Sequence, residues 1–168
     1  MADNITLRIA RQADIGALDR LFQRSYSRLL AADYPPSVLV TAVPVIARAQ
    51  PALVASGQFY VVEDGEGRVL GAGGWSLQAP GGHPATSGTG HVRHVATDPD
   101  AVRRGVGRLL LEHIVQAARA SDVSTLHCQS TLTAEPFYRS LGFEPQGRMT
   151  VPLRGGIGFP AVFMIRRL

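Results

Sequence analysis

Residues 103–108 read Arg-Arg-Gly-Val-Gly-Arg and lead into the leucine run 109–111. Two glycines one residue apart do not cap a helix as Ser or Asp would; they clear side chains away from its first amides. Those amides lack intrahelical partners and carry the positive end of the helix dipole, while Arg103, Arg104 and Arg108 add full charges. The stretch therefore suits an anion such as a pyrophosphate. No Gly-Lys-Ser/Thr follows the glycines and G-x-G-x-x-G is absent, which disfavours a nucleoside triphosphate and NAD alike. All seventeen Lys+Arg residues are arginine, so Schiff-base and P-loop lysine chemistry are excluded. Cys128 is the only cysteine, which rules out an intrachain disulfide, and its neighbour His127 points to the opposite face of a strand, which argues against a thiol–imidazole pair. His83, His91, His94, His113 and His127 show no zinc-type spacing with it, and no metal is expected.

A glycine-rich anion loop needs a sheet to hold it. The pattern of 5–10 alternates as a half-buried strand, and 12–30 carries Ile15, Leu18, Leu21, Phe22, Leu29 and Leu30 near helical spacing, with Asp14 available at the N-terminus. A second helical stretch, 36–49, contains Pro44 and is expected to break or kink there. Residues 58–64 and 68–77 read as a hairpin turning at Gly65 and Gly67, and 78–90 is a Gly, Pro, Ser and Thr loop. Strand 91–97, helix 105–120 and strand 123–130 follow. In that helix Val106, Leu110 and Ile114 share one face and Arg108, Glu112 and Gln116 the other, as expected of a helix lying on a sheet. A short helix begins near Thr133, its candidate cap, with Pro136 in its first turn and Gly142 as its stop, and two strands finish the chain.

The 168 residues are read as one α/β domain, 1–168, with 45% apolar content to fill a core. No apolar run is long enough to span a membrane and the charged N-terminus is unlike a signal peptide, so a cytoplasmic location is expected. A net charge of +4 is spread along the chain rather than gathered in a stripe, and nucleic acid is not an expected partner.

The stretch VATDPDAVRRGVGRLLLEHI, followed by STLTAEPFYRSLGF, resembles the GNAT superfamily of acetyl-CoA-dependent N-acetyltransferases. The first part is similar to that family's Arg/Gln-x-x-Gly-x-Gly/Ala motif and the second to its Ala-x-x-Phe-Tyr-x-x-Leu-Gly-Phe helix. Two positions depart from the pattern: Val102 stands where Arg or Gln is usual, and Thr133 where many members have the Asn that contacts the pantetheine arm. The resemblance implies a mixed, mostly antiparallel sheet with a splayed parallel strand pair, 91–97 and 124–129, and about four flanking helices. It implies acetyl-CoA as acyl donor, bound by Val95, Ala96, Thr97, Arg103, Arg104, Gly105, Val106, Gly107, Arg108, Thr133 and Phe137. The acceptor is an amine of a small molecule or peptide, a homodimer is a permitted assembly, and the alternative is a non-catalytic acyl-CoA-binding sensor.

Direct attack by the amine needs an acid for the leaving thiolate and a base for the amine. The resemblance gives Tyr138 as the acid and His91 as the base, with an amide near Val95 holding the oxyanion. Period-two alternation places His91, Arg93, Val95 and Thr97 on one strand face and Val92, His94 and Ala96 on the other, where His94 packs under a helix. Arg93 either holds a carboxylate of the acceptor or pairs with an acidic neighbour. Glu63 is a weaker candidate base, Cys128 is read as buried filler, and Trp75 as core or as a wall of the acceptor pocket. Phenylalanine at position 138 is expected to lower turnover far more than acetyl-CoA binding. Thiol-release rates set beside binding titrations check this, and unchanged turnover would remove Tyr138 from the mechanism.

Overall fold

The computed structural model describes residues 4–168. Seven strands form one sheet: β1 (Thr6–Ile9), β2 (Phe59–Glu63), β3 (Val69–Ser76), β4 (Thr89–Thr97), β5 (Thr125–Thr131), β6 (Glu144–Leu153) and β7 (Ile157–Arg167). Their order is β1-β2-β3-β4-β5-β7-β6, and every neighbouring pair is antiparallel except β4 with β5. That parallel pair is joined through helix α4 (Val106–Ala120). The mixed, mostly antiparallel sheet with one parallel pair is the architecture expected from the sequence.

The parallel pair is short. Thr89, Gly90 and His91 pair with Thr125, Leu126 and His127, after which β5 continues against β7 to Thr131 while β4 diverges. Divergence begins at an extra residue in β4. Ala72 faces Ala96, yet Gly74 faces Arg93, so three steps on β4 match two on β3. His94 absorbs the excess with φ 54, the left-handed region that His visits more readily than most residues.

This bulge overturns the regular alternation read from 91–97. Val92 and Val95 both pack on the core under α4, whereas His94 and Ala96 both belong with the cluster under helix α1 (Ile15–Leu29). His94 does pack under a helix, as expected: its ring stacks on Phe22 at 3.7 Å between centroids. Its Nε2–H donates to the Ile46 carbonyl at 2.9 Å, which leaves Nδ1 as a shielded acceptor without a partner.

Under α4 lie Leu110, Ile114 and Ala118, each fully buried; a buried Leu or Ile side chain contributes roughly 1.5–3 kcal/mol. Close approach of β3 to its neighbours uses the glycines of GAGGW, since a Cβ on Gly74 would collide with the Gln58 carbonyl and lie 2.8 Å from Phe59 Cα. Trp75 is core, 1% exposed, with its indole N–H donating to the Tyr60 hydroxyl at 3.3 Å; it lines no cavity described below.

Helix α2 (Pro36–Ile46) runs through Pro44 without breaking, because the proline falls in its last turn; a separate turn, α3 (Pro51–Val54), follows. Val40, whose carbonyl Pro44 leaves without a helical donor, is 74% exposed and accessible to water. Asp14 does not cap α1. Its carboxylate turns back to accept from the Arg11 amide at 2.7 Å and from Arg8, which also pairs with Glu63.

Burial pushes the His94 pKa from its ordinary 6.5 down to about 4. Between those values the unfolded chain binds the extra proton and the folded chain does not. The contribution of neutral His94 is thus complete above pH 6.5 and is lost as pH falls toward 4, a span of about 3 kcal/mol. Urea unfolding of the wild type at pH 7 and pH 5, beside His94→Gln, is expected to show a steeper acid loss in the wild type.

Candidate active site

Where β4 leaves β5, a cleft of about 920 Å³ opens between α1, the loop 101–105, the start of α4 and the helix α5 (Glu135–Ser140). Val95, Ala96 and Thr97 form one wall, on the edge of β4 that β5 no longer covers. Arg103, Gly105, Val106, Gly107 and Arg108 form the floor. Gly105 precedes the helix in a left-handed conformation, φ 79, and Arg103 is left-handed too, φ 65. The first helical bond runs from the Leu109 amide to the Gly105 carbonyl at 3.0 Å, so the amides of Val106, Gly107 and Arg108 have no helical acceptor. Arg104 does not line the cleft; it acts electrostatically on Asp64. Val102, the irregular letter of the motif, is exposed and borders the cleft.

The opposite wall carries Thr133, Phe137 and Tyr138. Thr133 is not the cap of α5; Ala134 occupies that position, and its amide is held by the Thr131 hydroxyl at 3.1 Å. Thr133 Oγ1 is instead buried with no partner. Tyr138 is 5% exposed, not a surface aromatic, and packs edge-on against Phe137 and Phe143. Its hydroxyl lies beside the Cys128 thiol, and burial first, then that thiol, raises its pKa well above the ordinary tyrosine value. Burial likewise pushes the Cys128 thiol up to about 12, so both groups keep their protons at neutral pH.

A second cavity of about 860 Å³ lies between the α2–α3 segment, the middle of β4, Gln129 and Thr131 of β5, and the β6–β7 hairpin. Arg93 and His94 line it. His91 lines neither cavity. It is buried against His127, ring centroids 5.3 Å apart, and burial followed by the charge of His127 lowers its pKa from 6.5. Glu63 is occupied by Arg8 at 3.2 Å and is remote from both cavities.

A protein-family model for the acetyltransferase (GNAT) domain matches residues 55–145, more than half of the chain. The chain belongs to the GNAT acetyltransferase family. A ribosomal protein bS18-alanine N-acetyltransferase of Salmonella typhimurium is 43% identical over 53 residues, 30% of this chain and 36% of that enzyme, and the Escherichia coli K12 counterpart is 42% identical over the same length. The chain thus matches only about a third of the length of these curated relatives. Among solved structures, a GCN5-related N-acetyltransferase from Rhodopseudomonas palustris superposes with a TM-score of 0.77 at 21% identity, covering 100% of this chain and 98% of that one. The PaiA N-acetyltransferase of Thermoplasma acidophilum, solved in complex with coenzyme A, gives 0.72 at 11% identity over 98% of this chain and 99% of its own.

The GNAT cleft and the second cavity share two lining residues, Tyr26 and Thr131, and sequence reasoning missed both. Tyr26 had a signal: it stands one turn after Phe22 on α1, and both rings lie parallel to His94, at 6.0 Å and 3.7 Å. Thr131 had none beyond its place at the end of β5. The residues present also suit the donor of this family. Three residues whose amides have no helical acceptor line the cleft, no atom lies within 4 Å of a Cβ built on Gly105, and Thr133 offers an unpaired hydroxyl along the cleft.

Gly105→Ala forces a left-handed alanine, costing about 1–2 kcal/mol, and places a methyl beside the free amides. Gly57 has the same geometry, φ 80 in open space, away from the cleft. Both alanine variants are expected to lose similar stability in thermal melts, while calorimetry shows coenzyme A affinity falling about tenfold or more in Gly105→Ala alone.

Proposed function

We propose that the protein transfers an acetyl group from acetyl-CoA to an amine of a small molecule or peptide, by direct attack and without an acyl-enzyme. One observation carries this reading: residues 106–108, whose amides have no helical acceptor, and the buried Tyr138 line one cleft, which shares Tyr26 and Thr131 with a second cavity. Acetyl-CoA supplies an activated thioester. The amides of Val106, Gly107 and Arg108, with Arg103 and Arg104 nearby, take its pyrophosphate, and Thr133 Oγ1 with the open edge of β4 takes its pantetheine amides. The Val95 amide stabilises the carbonyl oxygen as nitrogen bonds to carbon.

Tyr138 donates to the departing sulfur. Against a thiol of ordinary pKa near 8.5, even an ordinary tyrosine near 10 would give up its proton uphill by about 2 kcal/mol, and burial here increases that gap. The hydroxyl therefore hydrogen-bonds the sulfur first and releases its proton only as the C–S bond breaks. The amine proton leaves toward His91 through water, since His91 does not border the acceptor cavity. Its lowered pKa keeps it neutral, and able to accept, at pH 7.

Incubation with acetyl-CoA and an amine panel is expected to release thiol and give N-acetyl products by mass spectrometry. Binding of coenzyme A without turnover on any amine would favour the sensor instead. In the active case His91→Gln removes the fall in kcat/KM on the acid side of pH 6.5, because that limb reflects protonation of His91. An unchanged pH profile assigns the base elsewhere.

A further inference from the structure

The second cavity has Arg48, Arg93 and Arg154 on its wall, and none of its lining residues is acidic. Arg48 and Arg154 are exposed, whereas Arg93 is partly buried in the strand that both cavities share. Arg8, the other partly buried arginine of this half of the sheet, meets Asp14 and Glu63, and even the exposed Arg24 meets Asp98 and Asp100. Among the described residues Arg93 has no such partner. Its Nη1 donates to Ser76 Oγ at 3.0 Å and its Nη2 to Gln50 Oε1 at 3.1 Å, both neutral acceptors. Asp19, an acidic residue on the same side, accepts from the Ala49 amide at 2.8 Å and lines neither cavity.

The acidic neighbour that would have made Arg93 a structural cation is therefore missing. A guanidinium carries five N–H donors in a fixed fork. Ser76 and Gln50 bracket it from β3 and from the segment before α3, fixing its direction while neutralising none of its charge. Removing a cation from water without a counter-ion is costly, and the cost is recovered when an anion arrives. The same charge repels a second cation. Along β4, Arg93 lies two residues from Val95, across the His94 bulge, so that one small molecule can present an acid to the first and an amine beside the second.

We propose that the acceptor is an amine that also bears a carboxylate, an amino acid or the acidic end of a short peptide, and that Arg93 receives that carboxylate. The amine half rests on the acetyl-transfer reading above; the carboxylate half does not.

The test has two arms on the full chain. In the first, thiol release from acetyl-CoA is measured with glycine, β-alanine and γ-aminobutyrate, each beside its carboxamide and its decarboxylated amine, with putrescine as a dication. Acids are expected to exceed their amides and amines in kcat/KM by about tenfold or more. Arg93→Gln is expected to cut the value for acids about 10–100-fold through KM, with amide acceptors little changed, and Arg93→Lys to recover part of it. In the second arm the N-acetyl derivatives of the same acids are titrated, by NMR in the presence of coenzyme A, into the wild type and both variants, whose melting temperatures confirm folding. Binding of these acids that weakens in Arg93→Gln, even with no turnover in the first arm, leaves the anion site standing while the acetyl-transfer reading fails. Equal or better turnover of amides or putrescine overturns the proposal and leaves the enzyme standing. So does equal titration of acids into wild type and Arg93→Gln.

Discussion

One extra residue in β4 governs the rest of the molecule. With His94 bulged, the strand cannot follow β5 beyond His91, and the backbone of Val95–Thr97 is left with a free edge. A free edge inside a protein is a demand for hydrogen-bond partners. The GNAT cleft runs along that edge, where a ligand could meet the demand that β5 does not. The bulge is itself held from the far side: the His94 ring is stacked on α1 and tied to the last turn of α2, so the first two helices brace the opening of the sheet.

Around that opening the two motifs are brought together by packing rather than by sequence proximity. Gly107 has no side chain because Phe137 lies against it; a Cβ there would come within 2.9 Å of Phe137 Cζ. The same absence that frees the amides thus lets α5 close down on α4, and Tyr138 is carried with it onto Cys128 and Phe143. A buried phenol against a buried thiol is an apolar arrangement with one polar tip. It holds the hydroxyl in one direction and keeps its proton in place.

The succession of strands and helices along the chain, the hairpin of 58–64 with 68–77, the amphipathic α4 and both motif segments were legible in the sequence, because each is written in local periodicity or in a glycine that a turn requires; the order of the strands in the sheet was not. The bulge was not. Residues 91–97 alternate regularly on paper, and the register that forces His94 to φ 54 is set by β3, a different part of the chain. Thr133 looked like a cap because helix starts favour threonine, but Thr131 performs that service two residues earlier and leaves Thr133 for the cleft. Pro44 looked like a breaker because its position within the final turn could not be known before the helix end was. His91 was taken from the resemblance, and its absence from both cavity linings is a tertiary fact that spacing does not encode.

The two cavities have distinct linings, one beside α4 and α5, the other between the α2–α3 segment and the β6–β7 hairpin, and the two share only a phenol ring and a threonine. So small an overlap separates two sets of evolutionary freedom. Residues of the second cavity can be exchanged while the lining beside α4 and α5 stays untouched, provided Tyr26 and Thr131 are kept.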